Sequence, residues 1–283
     1  VSGGADSLAL LVLAVAAGCE VTAVHVDHGL REGSAAEADG VRAAAAAFGA
    51  GFRSERVTVE PGPNLEARAR GARYRVLPPD VLTGHTADDQ AETVLLNLLR
   101  GAGLDGLAGI APGPRHPILA LRRRETRALC QVMGLTPVDD PSNADPVHRR
   151  NRVRHELLPL LDAIAQRDVA GIIARQAPLL RDEAELLDGL AAVLDPTDAR
   201  ALAAAPVALS RRAVRLWLAA GCEHPPDAAT VERVLAVAGG HAKAADIGAD
   251  RRVARTGQRL RIEALPTSAP RPPAARAPRR HPE

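Results

Sequence analysis

Two short stretches of this 283-residue chain carry side chains that can do chemistry together. The first is Ser2-Gly3-Gly4-Ala5-Asp6-Ser7, which runs straight into the apolar segment Leu8 to Val15. Gly3 and Gly4 accept backbone angles that other residues resist, so successive N–H groups can turn toward one anion. A helix starting behind them aims its positive end at the same point. Ser2 and Ser7 add hydroxyl donors. The loop therefore reads as a phosphate cradle. Asp6 repels a phosphate unless a cation stands between them, which points to Mg²⁺ bridging Asp6 and a nucleotide. The plainer alternative is a glycine turn with Asp6 capping a helix.

The second stretch is Gly84-His85-Thr86-Ala87-Asp88-Asp89-Gln90-Ala91-Glu92-Thr93. His85, Asp89 and Glu92 are spaced four and three apart, which places them on one edge of a helix starting near Ala87. The helix dipole alone accounts for acids in the first turn. It does not account for His85 or for the grouping. Such a set suits Mg²⁺ or the positioning of an amine. His25, Asp27 and His28 end a short apolar run and read equally well as an ordinary turn or as part of the site. Glu66, Arg70, Arg73 and Tyr74 have helical spacing. Arg70 facing the crevice would stabilise phosphate charge, against the bland reading of a solvated Glu–Arg face. Arg149, Arg150, Arg152 and Arg154 crowd a helix start, where the dipole prefers acids. With Arg122 to Arg124, Arg211, Arg212, Arg215, Arg251, Arg252 and Arg255, they suggest a nucleic acid partner.

Other nucleotide loops are excluded. A Walker loop needs Gly-x-x-x-x-Gly-Lys-Ser/Thr, and the single lysine, Lys243, has no hydroxyl after it. The fingerprint Gly-x-Gly-x-x-Gly is absent from the opening. Cys19, Cys130 and Cys222 form no Cys-x-x-Cys pair, which argues against zinc and iron–sulfur sites and fits a reducing cytoplasm. No apolar stretch is long enough to span a bilayer, so no membrane association is expected. Net charge is +2, and hydrophobic content of 46% with 1% aromatics implies a core of alanine, leucine and valine.

The elements that must hold these residues follow a βα rhythm over residues 1–140: helix 6–18, strand 21–26, helix 35–49, strand 52–59, helix 64–77, strand 80–83 and helix 87–100. That alternation predicts an α/β fold with a parallel, doubly wound sheet. Ligands gather outside the carboxyl ends of such strands, which collects the opening loop, His25 to His28 and His85 around one crevice. Residues 117–138 read as strand, helix and short strand, and 150–165 as helix. Beyond a boundary near 166 the chain reads as a smaller, mostly helical C-terminal domain, with helices at 168–194, 210–220 and 227–238. A hairpin turns about Thr256-Gly257. Residues 266–283, rich in Pro and Arg, are expected to be disordered. A buried strand normally feeds a loop like 2–7, so the first strand is expected to precede Val1 in a longer chain.

Ser2 to Ser7 resembles the PP-loop of N-type ATP pyrophosphatases, whose fold is adenine nucleotide alpha hydrolase-like. Within them, His25-Val26-Asp27-His28-Gly29-Leu30-Arg31, the stretch from His85 to Leu107 and the stretch from Asp140 to Leu161 resemble the tRNA(Ile)-lysidine synthetase family. The likeness is close over residues 1–165 and looser to 265. It implies ATP and Mg²⁺ as cofactors, and tRNA(Ile) with a CAU anticodon and free L-lysine as partners, with a homodimer as an option. The implied reaction adenylates C2–O of wobble cytidine 34 and then replaces AMP by the lysine side-chain amine, changing the codon read from AUG to AUA. By position, Asp6 resembles the metal- and ATP-linked aspartate. His85, Asp89 and Glu92 resemble the set around the reacting centre and the lysine amine. Arg70, Arg150, Arg152 and Arg154 resemble arginines near phosphate and tRNA, and residues 167–265 an accessory tRNA-binding domain. The rivals are a PP-loop tRNA thiolase and an inactive, truncated ATP-binding remnant.

Overall fold

A computed structural model describes residues 1–27, 34–58, 65–139, 144–220 and 225–265, with backbone only for 34–36, 65–67, 69 and 70. The chain divides into two compact units, Val1–Ala184 and the residues from Glu185 onward. The first unit opens with helix α1 (Ala5–Ala16), strand β1 (Thr22–Asp27), α2 (Ser34–Ala47), β2 (Gly51–Arg56) and α3 (Leu65–Val76). β1 and β2 pair in parallel from Thr22↔Gly51 to Asp27↔Arg56. Ala23, Val24 and His25 are buried in succession, the pattern of a parallel strand covered on both faces. Small side chains fill the space: Leu8, Ala9 and Leu11 of α1 meet Val41, Ala44 and Ala45 of α2.

The first unit continues through α4 (Ala87–Leu99), α5 (Leu104–Leu107), α6 (Arg123–Val132), α7 (Arg149–Arg152), a π-helical turn (Val153–Leu157), α8 (Leu158–Ala165) and α9 (Val169–Ala191). Ala91, Leu95 and Leu96 of α4 pack with Val153, Leu158 and Ala170 into a second apolar cluster. That packing holds the arginine-bearing segment 149–154 against α4.

Three expected stretches differ. Residues 80–83 form no strand; their backbone is tied to a neighbour at Thr83 N–H to Arg115 O, 2.8 Å, and one bond makes no ladder. Residues 117–138 contain only α6. Pro117 lacks a donor, and the chain closes turns instead, Leu119 N–H to His116 O and Leu121 N–H to Ile118 O. The helix expected over 150–165 widens into the π turn, where Leu158 N–H reaches Val153 O. Pro159 explains it, because it cannot donate to His155 O and its ring would clash there in an unbroken α-helix. Among the described residues the parallel sheet therefore has two strands rather than the wider doubly wound sheet expected.

The unit from Glu185 onward holds α10 (Ala199–Ala204), α11 (Val207–Ala219), α12 (Ala228–Ala238) and an antiparallel sheet of β3 (Ala244–Gly248), β4 (Arg251–Thr256) and β5 (Arg259–Ala264). The hairpin about Gly257 forms as read. α10 and β3 were not expected, so this unit is helix packed on sheet. Val214, Val234, Val237, Val253 and Leu260 make its core. Left-handed Gln166 breaks the helix where a boundary was expected, but the compact units part at Ala184, inside α9. Residues 266–283 lie outside the described residues. No helix among the described residues is long and apolar enough to cross a membrane.

Candidate active site

The opening loop takes the form its glycines allow. Gly3 has φ +81°, and α1 starts directly behind it. Ser7 Oγ donates to Gly4 O at 2.9 Å and accepts from Ser2 N–H at 3.1 Å, so the hydroxyls brace the turn. Val138 N–H to Gly3 O, 3.0 Å, closes the far side. Gly84 passes so near that a Cβ there would lie 2.7 Å from Asp6 O. The loop opens onto a cleft of about 550 Å³, lined by Ser2, Gly4, Asp6, Ser7, Arg123 and Arg154 among others.

Asp6 faces this cleft with its side chain 24% exposed. Oδ1 accepts from the Thr126 hydroxyl, and Oδ2 is 3.6 Å from Arg123 Nε. Burial raises its pKa above the usual carboxylate value, and Thr126 and Arg123 only partly oppose that. The carboxylate is thus under-compensated and has room beside it. That suits Mg²⁺, which takes one or two carboxylates and completes its shell with water and phosphate oxygens.

The edge of α4 is built differently. Asp89 Oδ2 accepts from Thr86 N–H and Thr86 Oγ1, both at 2.9 Å, capping the helix. Its Oδ1 accepts from Arg123 at 3.1 Å and Arg150 at 3.2 Å. Glu92 is wholly buried and receives three guanidiniums: Arg123 at 3.1 Å, Arg150 Nε at 2.7 Å, and Arg154 at 2.7 and 3.1 Å. Asp88 takes Arg122 at 2.9 and 3.0 Å and Arg123 N–H at 2.7 Å, fixing the start of α6. Burial pushes the Asp88 and Asp89 carboxyls up. For Asp88, hydrogen bonds from Arg122 and Arg123 N–H, and for Asp89 the charges of Arg123 and Arg150, outweigh it and hold each below the usual range.

His85 belongs to a second cleft of about 670 Å³, with Asn97, Arg100, His116, Arg149 and Arg150 in its wall. Arg150 therefore stands between that cleft and the carboxylates, as Arg123 and Arg154 stand between the carboxylates and the phosphate loop.

The structure thus brings Asp6, Asp89, Glu92, Arg150 and Arg154 together and sets His85 on an adjoining wall. Arg152 is apart: it is exposed and paired along the helix with Glu156 at 2.9 Å. Arg150 and Arg154 turn inward onto carboxylates rather than outward. His25 is buried with Nδ1 3.0 Å from Val1 O, a packing role. The Arg70 side chain, His28 and Asp140 to Asn143 lie outside the described residues. Sequence reasoning passed over Arg123, Thr126 and Asp88 as parts of the site. Arg123 stood out only as one of three consecutive basic residues.

The model of the PP-loop domain matches residues 1–161. A tRNA(Ile)-lysidine synthase of Nocardia farcinica is 48% identical over 245 residues, 80% of this chain and 76% of that protein. The chain belongs to the tRNA(Ile)-lysidine synthase family. Proteins of the same name from Rhodococcus erythropolis and Thermobifida fusca are 46% and 43% identical, covering 78% and 83% of this chain and 73% and 80% of theirs. Among solved structures, the U34-tRNA thiolase NcsA from Methanococcus maripaludis aligns with TM-score 0.48 and 18% identity, over 64% of this chain and 71% of that one. The match to the family's PP-loop domain encloses every residue of the clefts described above.

Proposed function

We propose that the chain is an ATP-dependent ligase that joins the side-chain amine of free L-lysine to C2 of cytidine 34 in the CAU anticodon of tRNA(Ile), in the cytoplasm. The observation that carries this is the reach of Arg123, which lies 3.6 Å from Asp6 on the phosphate side and 3.1 Å from both Asp89 and Glu92 on the other. One side chain couples the place for a nucleotide to the place for an amine.

The reaction has two displacements. The cytidine O2 attacks the α-phosphorus of ATP and pyrophosphate leaves. The lysine amine then attacks C2, the C2–O bond breaks, AMP departs with the bonding pair, and the amine gives up a proton. The Gly3 and Gly4 amides and the Ser2 and Ser7 hydroxyls cradle the phosphates. Asp6 is the residue that would hold Mg²⁺, which when bound offsets phosphate charge. Arg123 and Arg154 line the phosphate cleft while paired to Glu92. Phosphates entering that cleft draw these guanidiniums toward them. An entering ammonium then replaces a guanidinium at Asp89 or Glu92, and either carboxylate can accept its proton. Reading one splayed cytidine of an anticodon loop fits how proteins address RNA. The unit from Glu185 onward is assigned to tRNA selection.

A thiolase reading fares worse on physical grounds. Cys130, the thiol nearest the phosphate loop among the described residues, is buried against Ala5 O at 3.4 Å, and burial together with Asp6 pushes its pKa up. A thiol so placed is a poor nucleophile.

The test mixes protein, Mg·ATP, labelled lysine and a tRNA transcript with a CAU anticodon. Label should enter the RNA, and should fail to enter when the wobble base is uridine. Asp6→Ala should abolish both labelling and pyrophosphate release; pyrophosphate release that survives it refutes the role given to Asp6.

A further inference from the structure

Three polar atoms meet beside the second cleft, two of them ring nitrogens of its wall. Thr83 Oγ1 is 2.8 Å from His85 Nδ1 and 2.7 Å from His116 Nδ1, and the two ring nitrogens are 3.2 Å apart. The rings stand edge to face, 4.9 Å between centroids and 75° between planes. His116 reaches this point from the loop before α6. The main-chain bond from Thr83 N–H to Arg115 O brings it there.

The proton inventory of this triangle is restrictive. A hydroxyl has one proton to give, and a neutral imidazole carries its proton on one nitrogen or the other. Thr83 Oγ1 also lies 3.3 Å from Arg115 O, its longest contact; the two shorter ones are both satisfied when one ring donates Nδ1–H to the hydroxyl and the hydroxyl donates to the bare Nδ1 of the other ring. Two protonated Nδ1 atoms would crowd two hydrogens into one gap, and two bare ones would oppose lone pairs. In the arrangement that serves the two short contacts of the hydroxyl, the rings therefore hold complementary states at Nδ1.

We propose that Thr83 and His116 are positioning residues that set which nitrogen of His85 carries its proton and hold the plane of its ring. Neither needs to touch substrate. The assignment rests on the family resemblance, which sets His85 with Asp89 and Glu92 around the reacting centre. An imidazole that must donate to or accept from one reacting atom works only in one tautomer, so a partner that fixes the tautomer acts on the chemical step rather than on nucleotide binding.

The experiment uses the full chain labelled with ¹⁵N-histidine, with His85→Gln to assign the ring signals. Thr83→Val removes the bridging proton at nearly constant volume, Thr83→Ser keeps it, and His116→Phe keeps a ring without the nitrogen. Thr83→Val and His116→Phe should each move the His85 ring-nitrogen shifts. Each should lower kcat for lysidine formation about fivefold to tenfold, the range of one hydrogen bond, with KM for Mg·ATP changed less than about twofold. Thr83→Ser should match the parent protein in both readouts. Unmoved His85 signals in Thr83→Val, or a Thr83→Ser variant that behaves like Thr83→Val, would overturn the proposal. If His116→Phe does not fold, the two Thr83 variants decide alone. A parent protein that makes no lysidine but shows the coupled shifts refutes the role of the site and leaves the coupling standing. Lysidine formed with uncoupled rings refutes the coupling alone.

Discussion

The mouth of the phosphate loop and the inner edge of α4 use the same ingredients, carboxylate and arginine, in opposite balance. At the loop a single aspartate, Asp6, faces a cleft with one hydroxyl and a distant guanidinium for company. On α4, Asp89 and Glu92 share Arg123, Arg150 and Arg154, with Thr86 filling the remaining oxygen of Asp89. The consequences are opposite in sign. The Asp6 pKa is raised and that of Asp89 is lowered. Asp6 has lone pairs to offer a cation, whereas the α4 pair gives up a partner before it can take another. A carboxylate already held by arginine and one left open beside a cleft are thus told apart by how fully arginine satisfies them.

The largest expected effect breaks the α4 side of this contrast. Glu92→Ala leaves Arg123, Arg150 and Arg154 facing one another without their shared anion. It should cost about 3–5 kcal/mol in urea unfolding, as removal of one partner of a buried ion pair does. A loss under about 1 kcal/mol would mean that Glu92 is not the anchor of the lattice. On the other side, Asp6→Asn should leave stability unchanged or improved, because an under-compensated carboxylate is being neutralised. ATP-dependent pyrophosphate release should fall by about 10²–10³-fold. If Asp6→Asn unfolds the protein instead, the two regions are not distinct in kind.

Gly84→Ala sharpens the contrast through space alone. Its Cβ would sit 2.7 Å from Asp6 O, so the start of α1 must shift. Overpacking of this sort costs about 1–3 kcal/mol, and KM for Mg·ATP should rise, because the shift falls at the phosphate loop. Next comes pH. The Asp6 pKa lies above 3.8, so as pH falls this carboxylate gains its proton earlier than an ordinary aspartate, and Mg·ATP binding weakens first. The Asp89 pKa lies below that value, so its contribution to stability is present above the unfolded pKa and is lost only as pH falls through the lower folded one. Nucleotide binding should therefore fail in an acid titration before the fold does. The smallest effect is at Arg152, exposed and paired with Glu156. Arg152→Gln should not change stability measurably. If it meets RNA, it should weaken tRNA binding uniformly and reduce the salt dependence by about one phosphate contact.

What could be read in advance divides along sequence distance. Asp89 and Glu92 were legible because their three-residue spacing and a helix start at Ala87 put them on one edge. The turn into α1 was legible because two glycines before an apolar run favour a sharp loop-to-helix start, and Gly3 takes φ +81° there. Arg123 was not, since its partners lie 31 and 34 residues away and no local period encodes them. Arg150 and Arg154 were noticed for their charge, but their inward direction depends on α4 packing under Val153 and Leu158. The strand expected at 80–83 failed because strand propensity is realised only where a neighbour supplies a ladder. The hairpin of the second unit succeeded because its turn and its partner strands are adjacent in the chain.

The widened turn at Val153–Leu157 has a consequence for how this segment tolerates change. A bulge absorbs one surplus residue while leaving the helical phase before and after it intact. A deletion of one residue there should spare the apolar seating of Leu158 and be felt by Arg154, whose distance to Glu92 is set inside the bulge. Chain-length variation at this point becomes a fine adjustment of arginine reach, insulated from the hydrophobic layer beneath.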